Sequence, residues 1–192
     1  MITTETVKSL RDRTGISIMQ CKKALEEAGG DMEKAVVLLR KQGAATAAKK
    51  ADRELKAGTI GSYLHANGSV GAMVTLSCET DFVSNNEEFK VLARDLAMQV
   101  AATSPEYMSL DVIPEDAKRA AKEVFEKEVA DKPKAMQPKT LEGKLTAYFK
   151  EKALLDQLFI KDETRTIRDL VQGAIQKFGE NIEVVKFIRL SI

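Results

Sequence analysis

GTIGSYLH (58–65), ANGS (66–69) and VGAMVTLSCE (70–79) form the stretch on which the fold turns. Asn67-Gly68 between two apolar, β-branched runs predicts a hairpin, because both central turn residues tolerate positive φ. Along the second run Val70, Ala72, Val74, Leu76 and Cys78 alternate with Gly71, Met73, Thr75, Ser77 and Glu79. Successive side chains of a strand point to opposite faces, so the first set is expected to face a core, with Cys78 as a small buried hydrophobe. His65 falls at the turn end, either as a solvated turn residue or as a partner contact.

Downstream, Thr80-Asp81-Phe82-Val83-Ser84-Asn85-Asn86 is a short polar connection into a strongly amphipathic helix. Phe89, Leu92, Ala93, Leu96, Ala97 and Val100 recur at helical spacing, and Asn85 or Asn86 is placed to cap them. Two roles are open to Phe82 on spacing alone: a plug for the local core, or an aromatic presented on a loop. Asp81 is open to a plain role as a turn or helix cap.

Upstream, the chain reads as short helices in quick succession. Val7 and Leu10 mark the first, ended by Thr14-Gly15. Ser17-Ile18-Met19-Gln20 has the form of a capping box, and Ile18, Cys21, Leu25 and Ala28 are expected to make one buried face. Gly29-Gly30 stops that helix, Asp31 caps the next, and Met32, Ala35, Val36 and Leu39 supply its inner face. The alanine-rich stretch from Gly43 to Leu55 is expected to be a further helix. At about 100° per residue Met19 points well away from the buried direction, beside Lys22 and Lys23. It is then either a scattered surface apolar residue or part of a partner surface.

Beyond the central helix, segments at about 115–130 (Ala120, Val124, Val129) and 139–153 (Leu141, Leu145, Tyr148, Phe149) predict an antiparallel helical hairpin, with Pro133 and Pro138 in its connection. A short strand is expected within 153–160. Ile167, Val171, Ala174, Ile175 and Phe178 define another helix, stopped by Gly179. The run from Ile182 to Leu190 carries apolar residues on both faces, which predicts a strand inside a sheet or at an interface.

The chain has 192 residues, 44% apolar and 31% charged, with 30 Lys and Arg against 29 Asp and Glu. So even a balance offers no cationic field for nucleic acid. No apolar run reaches the length that spans a bilayer, and the N-terminus lacks a signal-peptide pattern. Cys21 and Cys78 fit neither a disulfide framework nor zinc-ligand spacing. Together these features predict a cytoplasmic protein with no cofactor and no metal. His65 is the one histidine, and no phosphate-loop, dinucleotide or nucleophile-elbow motif occurs.

Three blocks, RTGISIMQCKKALEEAGGDMEKAVVLLRKQG (13–43), SYLHANGSVGAMVTLSCETDFVSNNEEF (62–89) and FGENIEVVKFIRL (178–190), resemble elongation factor Ts in order and spacing, over essentially the whole chain. The resemblance implies an α+β fold: a ubiquitin-associated-like three-helix domain with a linker helix at 1–53, then an α+β core at 54–192 with a small antiparallel sheet against helices. It implies a guanine-nucleotide exchange factor for the GTPase EF-Tu, not an enzyme. Ile18, Met19 and Lys22 match the family's docking positions, while Gln20 departs from the acidic residue common there. Thr80, Asp81, Phe82 and Val83 match the exchange loop, whose phenylalanine wedges beside the GTPase's magnesium site. Longer members carry two related core halves and this chain shows one, so the resemblance also implies a homodimer in a 2:2 complex, with His65 and Asn67 at a second contact. Some short relatives carry a cysteine in the last strand where Ile188 stands, so a dimer here is expected to be non-covalent there.

Rival expectations are a generic helical interaction module, which leaves the TDFV block without a role, a nucleic-acid binder, and an enzyme using Cys21 or Cys78 with His65.

Overall fold

In this computed structural model residues 2–131, 133–134 and 136–192 are described. Caps delimit the N-terminal helices. Thr3 accepts the Thr6 N–H at the start of α1 (Thr4–Thr14), and Gly15 ends it in the left-handed region. α2 (Ile18–Glu27) begins at Ser17, whose Oγ accepts the Gln20 N–H. Only this half of the expected capping box forms, since the Gln20 side chain meets the Ser17 hydroxyl at 3.1 Å rather than its backbone N–H. Asp31 caps α3 (Met32–Lys50) through the Lys34 N–H.

Val7, Leu10, Ile16, Cys21, Ala24, Leu25, Ala35, Val36 and Leu39 form the first core. Ile18, expected on the buried face of α2, is instead 60% exposed. The inner face centres on Cys21, Ala24 and Leu25, and Ile18 at 100° per residue lies roughly 70° from their mean direction. The alanine-rich stretch is also not a separate helix. α3 runs unbroken through Gly43 to Lys50, because its second half lies along a later helix, α8 (Ile167–Phe178). A Cβ at Gly43 would approach the Gln176 Oε1 to 3.1 Å, so close packing explains a glycine that reads as a breaker.

The second core is built on an antiparallel sheet of order β1-β2-β5, from β1 (Ala57–Leu64), β2 (Val70–Cys78) and β5 (Ile182–Ser191). The hairpin is as expected, but its turn is not. Gly68 alone takes positive φ, at 70°, and its N–H donates to the His65 carbonyl, while Asn67 stays on the negative side. The four-residue loop is therefore a turn closed by one left-handed glycine, with the Asn67 Oδ1 accepting from the Ser69 N–H at 3.0 Å.

The β2 alternation holds: Ala72, Val74, Leu76 and Cys78 are buried against Phe89, Ala93, Leu96, Ala97 and Val100 of α5 (Glu87–Thr103), which Asn86 caps. Each such large side chain contributes about 1.5–3 kcal/mol by leaving water. The helix sits so close that a Cβ at Gly61 would fall 2.1 Å from the Ala93 carbonyl oxygen. Gln99, also fully buried on α5, donates to the Gln157 Oε1 and the Leu158 carbonyl and accepts the Ile160 N–H, which satisfies a polar group at a core position.

β5 lies at an edge of the sheet, not inside it. Its register against β2 shifts between Thr75 and Leu76, leaving Val185 as an extra residue. Before this bulge Ile182 and Val184 point inward; after it Phe187 does. That change of phase accounts for apolar residues on both faces. On the outer face Leu64, Ile60, Met73, Ile188 and Leu190 are all exposed.

α6 (Glu115–Val129) and α7 (Gln137–Lys152) form the expected antiparallel pair, held by a T-shaped contact of Phe125 with Tyr148 at 5.4 Å. Ala120 and Val124 are exposed; Val129 and Phe149 are buried. The short strand β3 (Leu158–Phe159) pairs with β4 (Asp162–Thr166), which the sequence pattern does not foreshadow. A full capping box of Thr166 and Asp169 then opens α8, and Gly179 ends it.

Candidate partner-binding site

Directly after β2 the chain makes a single helical turn, α4 (Asp81–Ser84). Its residues divide by direction. Val83 is 2% exposed and belongs to the second core, whereas Phe82 is 85% exposed. An aromatic ring held in water on an anchored turn is not a core plug, and Val83 is the anchor rather than a contact surface. Asp81 is also exposed, and its carbonyl accepts from the Ser84 hydroxyl at 3.2 Å and the Asn85 N–H at 3.0 Å. Its carboxylate is therefore free of a capping role, while the backbone of the same residue closes the turn.

The start of the turn is clasped from far along the chain. The Glu180 carboxylate accepts the Glu79 N–H and the Thr80 N–H, each at 3.0 Å, and the Thr80 hydroxyl at 2.5 Å. In return the Glu79 carboxylate accepts the Asn181 N–H at 2.6 Å and pairs with Arg53 at 3.3 Å. The Asn181 N–H chiefly, with desolvation opposing and Arg53 adding to it, holds the Glu79 carboxyl below the usual range. Buried Asn181 also donates to the Ala51 and Arg53 carbonyls beyond α3, and Lys50 donates to the Gly179 carbonyl. Of these residues the sequence pattern marks Thr80 and Gly179 but gives Lys50, Arg53, Glu79, Glu180 and Asn181 no place in the site. The only signal was the Gly-Glu-Asn after a helix, and nothing local pairs it with residues about a hundred positions earlier.

On the N-terminal helices Met19 is 82% exposed and adjoins exposed Ile18. Lys22 is exposed too and pairs with Glu26 at 3.8 Å, an exposed contact of little energetic weight. So Ile18, Met19 and Lys22 share one open surface at the start of α2. His65 and Asn67 occupy the hairpin tip. The His65 Nδ1 lies 3.2 Å from the Tyr63 hydroxyl, and Asn67 spends its side-chain oxygen on Ser69. The tip and the Phe82 turn stand at opposite ends of β2, roughly 30 Å apart for a nine-residue strand.

Chemistry within the chain finds little footing. Cys21 and Cys78 are both buried, and burial pushes each thiol up, with the Glu180 charge adding at Cys78. Neither lies at an exposed cleft. Among the described residues no cluster of His, Cys, Asp and Glu could hold a metal ion, and no helix is long and apolar enough to cross a membrane.

What this architecture presents is an α+β scaffold with a protruding aromatic and exposed apolar side chains: a protein whose candidate site is a surface offered outward rather than a cleft. The chain belongs to the elongation factor Ts family, whose model (Elongation factor TS) matches residues 46–192. It is 48% identical over 192 residues to elongation factor Ts of Thermodesulfovibrio yellowstonii, covering 100% of this chain and 96% of that protein. With elongation factor Ts of Thermotoga petrophila the identity is 48% over 191 residues, again covering 100% and 96%. With that of Thermotoga maritima it is 47% over 191 residues, with the same coverage.

Proposed function

We propose that this protein is a cytoplasmic translation factor that drives GDP release from EF-Tu, with Phe82 as the mechanical element. The observation that carries this is a phenylalanine 85% exposed on a turn whose next residue is locked in the core. Exposing a large aromatic forgoes roughly 2–3 kcal/mol of burial, which a partner pocket restores. A GTPase holds GDP through magnesium and a nest of backbone N–H groups around the phosphates. A ring inserted beside that nest, with the Asp81 carboxylate next to it, displaces the elements that position the metal and disperses the phosphate donors. The factor then favours the nucleotide-free state. By linkage, nucleotide and factor weaken each other equally, so incoming GTP expels the factor. No bond is made or broken, and no cofactor is required.

In this scheme the chain divides into a docking module at 1–53 and a core at 54–192. Ile18, Met19 and Lys22 give affinity for the GTPase's nucleotide-binding domain, and Thr80, Asp81 and Phe82 act on the magnesium side, with Val83 holding them. The outer sheet face takes a second copy of this chain. Its exposed Leu64, Ile60, Met73, Ile188 and Leu190 are apolar, and Glu183 and Lys186 on the same β5 face are complementary across a two-fold axis. Each 2:2 complex then offers Phe82 from one subunit and His65 with Asn67 from the other to a more distant domain.

Stopped-flow release of a fluorescent GDP analogue from EF-Tu tests the proposal. Added protein should accelerate release manyfold, and an unchanged rate with intact, folded protein would refute it. Salt-insensitive binding would separate this from nucleic-acid recognition.

A further inference from the structure

We propose that Glu180 is a positioning residue for nucleotide exchange, holding the Phe82 turn in its working pose and tying it to the helix that carries the docking module. The inference rests on the exchange function proposed above.

Four residues of helix do not hold their own shape in water, because nucleating a first turn fixes several dihedrals for a single hydrogen bond. α4 is that short, and its N-cap residue Thr80 makes no side-chain hydrogen bond to it. Val83 anchors one side. The entry is fixed from outside: one carboxylate takes two consecutive backbone N–H groups and the Thr80 hydroxyl. Charge-assisted bonds of this kind are the stronger class, and three on one group set both the position and the direction of the chain entering the turn.

The same junction reaches α3. Glu180 sits between Gly179, whose carbonyl accepts from Lys50, and Asn181, which donates to the Ala51 and Arg53 carbonyls. Arg53 in turn pairs with Glu79, the residue immediately before Thr80. The end of the helix leading from the docking surface, the end of β2 and the turn before β5 are thus closed into one polar knot. Phe82 itself contributes nothing to the knot. Loosening Glu180 should therefore release the ring without dismantling the core.

The test compares Glu180→Ala and Glu180→Gln with wild-type protein. Two readouts are taken: amide exchange at Glu79 and Thr80 in the free protein, and the maximal GDP release rate against the half-saturating factor concentration. Glu180→Ala should speed Thr80 amide exchange about tenfold or more. It should lower the maximal release rate about tenfold, as misplacing a working group does, and leave half-saturation unchanged because docking through α2 is untouched. Glu180→Gln should recover most of the rate: its amide oxygen accepts both N–H groups, and its NH2 donates to the Thr80 hydroxyl, which accepts as readily as it donates. Wild-type protein that fails to speed release removes the exchange function and this inference with it. If wild type accelerates, Phe82→Ala abolishes the effect and folded Glu180→Ala keeps it in full, the inference alone is overturned. A change confined to half-saturation overturns it as well.

Discussion

Phe82 and Val83 are neighbours with opposite placements, one in water and one in the core, and single substitutions should separate them. Phe82→Ala removes an exposed ring, so the melting temperature should barely move while stimulated GDP release falls tenfold or more. A large loss of stability would instead place the ring in the core. Val83→Ala should do the reverse, lowering the urea-derived stability by about 1–3 kcal/mol because it opens a cavity in the second core. The two thiols are buried and shifted up, so both should react with a thiol reagent only after unfolding. Replacing both with alanine should leave exchange intact. At Glu79 the folded carboxyl titrates below its ordinary value of 4.5. A group depressed in this way stabilises the fold fully above its unfolded value, and that stability is lost as pH falls through the folded value. Glu79→Gln should therefore flatten the acid limb of the unfolding curve below about pH 4.5.

Elements differ in how far their residues reveal them. α5 and β2 were legible because a long stripe and a strict alternation both match one face of one element. Gln99 escaped that pattern: nothing local shows that Gln157 and the backbone near Leu158 satisfy it inside the core. The merger of the alanine-rich stretch into α3 was hidden because the glycine that looks like a stop is a packing residue against α8. β4 was illegible because Asp162–Thr166 is polar and pairs with only two residues of β3. The two-sided apolar pattern of β5 predicts a strand inside a sheet or at an interface, and a bulge on an edge strand gives the same pattern. Of the candidate site, the resemblance singles out Asp81 and Phe82, but the clasp is not legible, because its partners are about a hundred residues apart. Close packing at one element also predicts a sharp failure. Gly61→Ala forces a methyl against the Ala93 carbonyl and should lower stability by about 1–3 kcal/mol in urea titration, with β1 displaced from α5.

For the whole molecule, the proposed dimer through the outer sheet face gives a direct test. Sedimentation velocity at micromolar concentration should show a dimer, and Ile188→Asp should convert it to monomer without unfolding it, since that side chain faces away from the core. A wild-type monomer would remove the two-copy arrangement. A further consequence follows from α3 being one continuous rod between the docking surface and the polar junction beside the turn. An α-helix advances about 1.5 Å and rotates about 100° with each residue. One residue spliced into that rod between Leu39, in the first core, and Gly43, packed on α8, would swing Met19 a quarter-turn and more relative to the Phe82 turn. Tolerated length changes should therefore come in near-whole turns, as though the two working surfaces were geared to a common shaft.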